Sequence, residues 1–327
     1  MSLSIGNISA KSGEKKKGFI SVAEMPTGTV NIPVTLINGK KKGPRLLVTA
    51  GVHGCEYPGM RGAQIIATET DPEALEGSLI VVHSVNVPGF VHQVAFFNPL
   101  DGINLNRIWP GNVEPGAFYG AGSISHHITN NVYDKIQRKA THYIDLHGGD
   151  LPEDIPHFSA SVMIDDRKVD EVSEGMLKYS LAKVIRAGAY SPGHTTSTAA
   201  DLKIPHVLHE AGRAGLLEKD NVSRHVDAVK NIMKYLGMVE GKPEELKEQV
   251  SIGGGTGVRA KRGGFFESFV EPGEVVKEGQ TLGKIYDVFG ETLEVVKSPR
   301  DGLVLIVNFR AAKCVGDGLY SISEIII

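Results

Sequence analysis

Cysteine, tryptophan and an excess of charge of either sign are what this sequence has least of. Its 327 residues contain two cysteines, one tryptophan and 6% aromatic residues, and the formal net charge at pH 7 is −3. Two cysteines far apart in the chain provide no disulfide framework, so a small disulfide-stapled fold is excluded. The nearly balanced charge provides no basic surface for nucleic acid or for an anionic membrane.

Long apolar runs are also missing. No stretch reaches the roughly 18 apolar residues that a membrane-spanning helix needs, and the first residues lack the charged and then apolar pattern of a secretory signal. We therefore expect a soluble, cytoplasmic protein with no nucleic-acid and no membrane partner. Homo-oligomerisation is left open.

Short apolar strands alternate with helical patterns through the first 240 residues. Strands are predicted at 45–50, 79–83, 143–147, 162–164, 183–185 and 205–210, and helices at 60–67, 123–139, 166–181 and 218–236. A strand pair over 17–37, joined by a turn at 26–28, precedes them. This alternation predicts an α/β domain whose sheet is mixed but mostly parallel, with helices on both faces.

The composition changes after residue 240. A charged segment is followed by short strands interrupted by glycine or proline every few residues. The sequence therefore predicts two domains, a catalytic domain over 1–240 and a small all-β domain over 241–327.

A His-x-x-Glu pair, His53 and Glu56, follows the strand at 45–50 within a Gly-rich turn. The turn leads into a helix, which places the pair at the carboxyl end of a strand, where α/β sheets keep their sites. Imidazole nitrogen and carboxylate oxygen both suit zinc, at about 2.0–2.2 Å. Such a pair is also expected roughly once by chance in this composition. A capping glutamate beside a loop histidine explains the pair alone equally well.

Two later strands end in residues that would complete a catalytic metal site, His147 as the third ligand and Glu210 as the base. His147 ends one strand, and Asp145 lies two residues earlier on the same face, where its carboxylate can orient the imidazole. Glu210 ends another strand. Three protein ligands leave a fourth position open, as in catalytic zinc sites, and Glu210 is the candidate base. Each residue alone is more often an ordinary polar residue; their shared position at strand ends favours a site.

The segment 86–122 is rich in proline, glycine and asparagine and shows no clear periodicity, which is typical of a functional loop. It contains Asn106 and Arg107. An amide and a guanidinium fork together form a suitable receptor for a substrate carboxylate. A loop arginine alone would usually only be solvated.

Taken in order along the chain, these residues resemble the succinylglutamate desuccinylase/aspartoacylase family, which belongs with the zinc carboxypeptidases. The resemblance covers roughly residues 30–240 and rests on four motifs: His53-x-x-Glu56, Asn106-Arg107, Asp145-x-His147 and Glu210. It implies a carboxypeptidase-like fold and a zinc-dependent amidohydrolase that cleaves a small N-acyl amino acid to a carboxylate and a free amine.

The resemblance also implies a role for each residue. One Zn²⁺ would be bound by His53, Glu56 and His147, with Glu210 as general base and acid. Asn106 and Arg107 would hold the carboxylate of the acylated amino acid. One position departs from the pattern, because Pro99 stands where aspartoacylase-like members carry an arginine that helps to polarise the scissile carbonyl.

The C-terminal segment resembles the barrel-sandwich fold of biotinyl and lipoyl carriers. Lys297 is the nearest candidate for a modified lysine, but it lacks the neighbours that carriers have, so a structural or site-covering role is expected.

Two other functions are open for the protein: a metallocarboxypeptidase acting on short peptides, and a non-catalytic metal- or ligand-binding protein. A cleft narrowed by the β domain would favour small substrates, whereas an open groove would favour peptides.

Overall fold

A computed structural model describes residues 2–114, 122–188 and 190–326. Part of the predicted long loop, residues 115–121, lies outside the described residues. The strands are β1 Leu3–Ile5, β2 Ile8–Ala10, β3 Glu14–Met25, β4 Gly28–Asn38, β5 Lys41–Ala50, β6 Glu76–Val82, β7 Phe97–Asn98, β8 Ile103–Asn104, β9 His142–His147, β10 Glu153–Asp154, β11 Phe158–Val162, β12 Val184–Gly188, β13 His206–Glu210, β14 Val250–Arg259, β15 Gly264–Ser268, β16 Val275–Val276, β17 Thr281–Tyr286, β18 Thr292–Lys297, β19 Gly302–Asn308, β20 Ala312–Lys313 and β21 Gly318–Ile326.

The helices are fewer and lie between these strands. They are α1 Tyr57–Glu69, α2 Val87–His92, α3 Ile124–Lys135, α4 Arg167–Lys178, α5 Thr195–Asp201 and α6 Lys219–Tyr235, with short 3₁₀ helices at Leu105–Arg107 and Gln137–Lys139. Within the described residues, no helix is both long enough and apolar enough to cross a membrane.

One large mixed sheet organises the molecule. Its order begins β3-β4-β6-β5-β9-β13-β11-β12 and continues through β14, β21 and β19 to β10. The strands that carry the predicted site, β5, β9 and β13, run parallel, so their carboxyl ends meet at one edge. Antiparallel pairs occur at β3–β4, β4–β6 and β11–β13. The predicted α/β fold with a mixed sheet is confirmed.

Alternation along the strands explains why both faces of the sheet are covered. Leu46 and Val48 pack in one core with residues of α1, α4 and α6, whereas Leu47 between them packs in a second core that includes Ile128 of α3. Successive side chains of a strand point to opposite faces, so an apolar run requires two covered faces. Each fully buried leucine contributes about 1.5–3 kcal/mol relative to exposure.

Two helices were not predicted from the sequence. The helix α2 has only six residues, and α5 is rich in threonine, a β-branched residue with low helix propensity. The helix predicted over 123–139 ends earlier, at Lys135, and a 3₁₀ turn follows it. Ser123 occupies the N-cap position of α3, but its side chain makes no capping hydrogen bond.

The C-terminal strands form a two-layered β structure. The sheet β18-β17-β15-β20 faces the strands β14, β16, β19 and β21, and apolar residues such as Phe266, Leu282 and Val304 fill the space between the layers. The main sheet nevertheless runs through this region without a break, because β14 pairs with β12 and β19 pairs with β10. The domain boundary between residues 240 and 241 therefore stays a prediction.

Candidate active site

Three of the predicted site residues converge at the carboxyl edge of the sheet. His53 Nδ1 lies 2.6 Å from Glu56 Oε1, and His147 Nδ1 lies 2.9 Å from Glu56 Oε2. One ligand atom of each residue lies within 4.8 Å of those of the other two. All three side chains are buried, with exposed fractions of 8%, 2% and 1% for His53, Glu56 and His147. The group, here called the triad, could hold a metal ion.

The outer nitrogens of both histidines are held by oxygen acceptors. His147 Nε2 lies 3.0 Å from Asp145 Oδ2, and His53 Nε2 lies 3.2 Å from Asn104 Oδ1. A carboxylate can only accept, and Asn104 Oδ1 already accepts the Asn106 backbone N–H at 2.9 Å. A ring that donates from Nε2 and carries no second proton presents an unprotonated Nδ1 to Glu56.

This arrangement places three electron-pair donors around one point. Glu56 Oε2 is buried, and its 2.9 Å contact with His147 Nδ1 is an ion pair only if that ring is protonated. An imidazole lone pair that faces a carboxylate is repelled by it unless a cation or a proton lies between the two groups. The donor set and its outer contacts thus fit a bound cation such as zinc, which favours histidine held by a second layer of acceptors.

Asp145 is the most enclosed of these outer acceptors, with an exposed fraction of 0%. Its Oδ1 accepts from the Thr49 hydroxyl at 2.6 Å, and its Oδ2 accepts from the Thr195 hydroxyl as well as from His147. Burial raises the pKa of Asp145, but the neighbouring His147 and these hydrogen bonds outweigh burial and hold that pKa below its ordinary value. Thr195, at the start of α5, was missed because nothing in the local pattern predicts that helix.

Glu210 lies on the same face of the sheet as His147. The two residues are register partners in the parallel pair β13–β9, and register partners project to the same side. Burial raises the pKa of Glu210 to about 8; His147 opposes this shift and the negative charges of Glu56 and Glu153 add to it. A carboxyl group with a pKa near neutrality can both accept and donate a proton at working pH.

The loop that carries Asn106 and Arg107 lies against the triad, because Asn104 contacts His53. Asn106 Oδ1 accepts from the Thr195 backbone N–H at 3.1 Å, which leaves its amide nitrogen as a donor. Arg107 is exposed, and its Nη1 donates to the Asn106 carbonyl at 2.7 Å and to His194 Nε2 at 3.1 Å. Pro99 lies in an exposed turn between β7 and β8 and has no N–H to donate.

Further residues near the triad were missed from the sequence. Phe96 has a positive φ of 59° and places its ring 5.6 Å from the His53 ring in an edge contact. Its backbone N–H donates to the buried Asp150 at 2.7 Å. Burial and the charge of Glu56 raise the pKa of Glu153 to about 7. The Gly148-Gly149-Asp150 sequence after His147 was the one signal that could have pointed to this wall of the site.

Comparison with known proteins agrees with this geometry. Residues 42–236, more than half of the chain, match the protein-family model of the succinylglutamate desuccinylase/aspartoacylase catalytic domain. The chain belongs to this family. The match runs from β5 to the end of α6 and includes every residue of the site described above. The resemblance predicted from the four motifs is confirmed.

Individual relatives extend over nearly the whole chain. The N-alpha-acetyl-L-2,4-diaminobutyric acid deacetylase of Halomonas elongata is 28% identical over 316 residues, which is 94% of this chain and 90% of the relative. The product-bound structure of the ectoine utilization protein EutE from Ruegeria pomeroyi is 23% identical, covers 97% of this chain and 98% of its own, and superimposes with a TM-score of 0.88.

A second solved structure has the same fold along its full length. It is the succinylglutamate desuccinylase/aspartoacylase from Rhodobacter sphaeroides, at 24% identity, 99% coverage of each chain and a TM-score of 0.87. The C-terminal β structure, which lies outside the family match, is therefore covered by both structural superpositions. The roles of ligand, base and carboxylate clamp stay predictions for this chain.

Proposed function

We propose that this protein is a zinc-dependent hydrolase that cleaves the amide bond of a small N-acyl amino acid. The observation that carries the proposal is the pair of Nδ1 atoms that face the two oxygens of the buried Glu56 carboxylate at the sheet edge. Membership of a family named after two deacylases, and likeness to a deacetylase from Halomonas elongata, support hydrolysis of an N-acyl group. A cytoplasmic location stays a prediction.

His53, Glu56 and His147 would hold the ion, with Asn104 and Asp145 fixing the two rings. Zinc bound at such a site supplies Lewis-acid polarisation and lowers the pKa of water. A two-histidine, one-carboxylate set leaves an open position, as hydrolytic zinc sites require.

Glu210 would accept the proton of the attacking water on its carboxylate. It would then donate that proton to the nitrogen of the leaving amine, so that one group serves as base and then as acid. The environment that raises its pKa supports both steps, although a bound dication would lower that pKa again.

Asn106 and Arg107 would position the substrate. The Asn106 amide nitrogen is free to donate, because its oxygen is already bonded to the Thr195 N–H. The Nη1 contacts to the Asn106 carbonyl and to His194 orient the guanidinium of Arg107. Its remaining N–H groups could then hold the α-carboxylate through charge-assisted hydrogen bonds.

The test combines metal removal with a substrate panel. The protein is stripped with a chelator, reloaded with Zn²⁺, and given N-acetyl, N-formyl and N-succinyl amino acids together with a dipeptide; released amine is measured. We expect hydrolysis of at least one N-acyl amino acid that is lost with the chelator and restored by zinc. Faster release from the dipeptide would instead favour the metallocarboxypeptidase.

Glu210→Gln separates catalysis from metal binding. This variant should bind zinc as the parent does but hydrolyse the substrate about 10² to 10⁴ times more slowly, the range of general acid–base catalysis. A substitution outside the site, Glu171→Gln on α4, serves as the matched control. Near-parent turnover by Glu210→Gln would remove Glu210 from the mechanism, and a protein that binds zinc but turns over nothing would support a binding function.

A further inference from the structure

The loop before the β7–β8 hairpin contains a strained turn at Phe96. The φ of Phe96 is 59°, in the left-handed region that bulky side chains rarely adopt. The N–H of Phe97 donates to the C=O of Ala95 at 2.6 Å, which closes a three-residue turn around Phe96. A three-residue turn with a positive central φ is the rare and strained form of the γ-turn. Such conformations persist only where the surrounding structure enforces them, and they cluster at functional sites.

A buried carboxylate enforces this conformation. Asp150 Oδ2 accepts the backbone N–H of Phe96 at 2.7 Å, and Asp150 Oδ1 accepts the backbone N–H of Leu151 at 2.6 Å. The exposed fraction of Asp150 is 0%. A buried carboxylate that is bonded through both oxygens cannot move without breaking charge-assisted hydrogen bonds, so it fixes the backbone at Phe96.

Two glycines bring Asp150 to this position directly after His147. A Cβ at Gly148 or at Gly149 would lie 2.5 or 2.7 Å from a backbone carbonyl oxygen of a neighbouring segment. Only glycine fits at both positions without a shift of the backbone, so the chain can turn sharply at the end of β9. The strand that provides one predicted metal ligand therefore also leads into the residue that fixes Phe96.

The strained turn places the Phe96 ring against His53. The two ring centroids are 5.6 Å apart and the interplanar angle is 87°, which is an edge-to-face contact. This is one of the favourable arrangements of a ring pair. Because the Phe96 ring lies at right angles to the imidazole, it restricts rotation of that imidazole about its bond to Cβ.

The outer nitrogen of His53 is held more weakly than that of His147. His53 Nε2 lies 3.2 Å from the neutral amide oxygen of Asn104, whereas His147 Nε2 lies 3.0 Å from a carboxylate. A hydrogen bond to a charged group is the stronger of the two kinds. Asn104 pairs with Phe97 across the β7–β8 hairpin, directly beside Phe96. Both outer contacts of His53 therefore come from this hairpin and the turn that precedes it.

We propose that Phe96 and Asp150 are positioning residues of the metal site. Asp150 fixes the strained turn, and the Phe96 ring holds the His53 imidazole so that its Nδ1 is directed toward the ion. The proposal rests on the proposed function in one respect, which is that the triad binds Zn²⁺. It explains why an unfavourable backbone conformation is kept beside the triad, because the turn is what brings the ring against His53.

Phe96→Gly tests this role, because glycine adopts a positive φ without strain and removes the ring. Zinc affinity is measured by competition with a chromophoric chelator, and the thermal midpoint is measured on the metal-free protein. We expect the affinity to fall about 3- to 10-fold, the equivalent of one aromatic contact. At saturating Zn²⁺, kcat should fall with little change in KM. A loss confined to KM would make Phe96 a substrate contact and overturn the proposal.

Phe97→Gly is the matched control, because Phe97 is the more exposed neighbour and its φ is not positive. Glycine at position 97 costs backbone entropy and relieves no strain. Phe97→Gly should therefore lower the thermal midpoint more than Phe96→Gly does, yet leave zinc affinity within about twofold of the parent, since its ring does not contact His53. A residue that served only the fold would show the opposite pattern, with a lower midpoint and an unchanged affinity.

Two further variants test the ring and the carboxylate separately. Phe96→Tyr keeps the ring and should restore zinc affinity to within about twofold of the parent. Asp150→Asn should lower zinc affinity in the parent and by much less in the Phe96→Gly background, where no ring is left to hold. A loss of equal size in both backgrounds would mean that Asp150 acts through its charge on the ion and not through Phe96, which overturns its part of the proposal.

Zinc binding and turnover are measured separately, so the two proposals can fail separately. Phe96→Gly with a zinc affinity within about twofold of the parent overturns the positioning role. If the affinity falls as expected but the parent hydrolyses no N-acyl amino acid, the proposed function fails and the positioning role stands. If the parent hydrolyses such substrates and Phe96→Gly binds zinc and turns over as the parent does, the positioning role fails alone.

Discussion

Replacing Asp145 with asparagine tests how the fold prepares His147 for a metal. The carboxylate is fully buried and accepts hydrogen bonds from Thr49, Thr195 and His147. Asparagine has the same shape, and its amide oxygen can take the Oδ2 position, where it still accepts from Thr195 and His147. Its nitrogen would then face the Thr49 hydroxyl, which can turn to accept, because it also contacts the Tyr143 hydroxyl at 2.7 Å.

The change therefore removes a charge and keeps the hydrogen-bond pattern. A hydrogen bond to a charged group contributes about 1.5–3 kcal/mol and a neutral one about 0.5–1.5 kcal/mol, so the His147 bond weakens by about 1–1.5 kcal/mol. Since 1.36 kcal/mol corresponds to a factor of ten, zinc affinity should fall about 5- to 15-fold. This lies at the lower end of the 10- to 100-fold losses typical of such outer contacts.

Competition with a chromophoric chelator measures that affinity, and circular dichroism checks the fold. Thr49→Val is the matched control, since it removes one hydrogen bond to Asp145 but leaves the charge and the His147 contact. We expect the valine variant to lose stability while its zinc affinity stays within about twofold of the parent, as only one neutral donor is lost. If Asp145→Asn binds zinc as tightly as the parent, Asp145 does not act through His147 and the reasoning is refuted.

Three more predictions follow from other parts of the structure. Arg107→Lys should lower kcat/KM about 10- to 100-fold for a substrate with a free α-carboxylate, because an ammonium has no planar fork, and much less for the analogue with an α-amide. Equal losses of kcat/KM on the two substrates would assign Arg107 to the scissile carbonyl instead. Burial lowers the pKa of His209, and it lowers the pKa of His225 to about 4. The unfolded chain therefore binds protons that the folded chain does not, and the free energy of unfolding should fall as the pH drops from about 6.5 toward 4. Urea midpoints should show the His225→Gln variant losing about 1–2 kcal/mol less than the parent between pH 7 and 5, and identical slopes would contradict this. A methyl group at Gly54 would overlap the backbone of Gly89, so Gly54→Ala should destabilise the protein by about 1–3 kcal/mol in thermal unfolding, while an unchanged midpoint would mean that α2 moves freely.

The sequence alone was sufficient to predict the class of the sheet and the site residues at its carboxyl edge. Apolar runs such as 45–50 and 205–210 are long enough to be recognised as buried strands, and the chain direction places whatever follows them at the carboxyl edge. His53, Glu56 and His147 were identified in this way. Their convergence then follows from β5, β9 and β13 being parallel, which the alternation of strands and helices predicts.

Only the tertiary structure decided what surrounds those side chains. Thr195 bonds Asp145 across 50 residues of chain and comes from a helix too short and too rich in threonine to be predicted. The contact between Asn104 and His53 depends on how the loop folds back, which no local pattern encodes. Each of these contacts joins residues on different elements, at a separation along the chain that no local pattern predicts.

The order of the strands in the sheet was decided in the same way. Strand β12 lies two strands away from β13, which places Leu208, Ala160 and Arg186 in one row of register partners. Periodicity within a strand fixes which face a side chain takes, whereas the order of strands in the sheet depends on non-local pairing and decides what lies beside it.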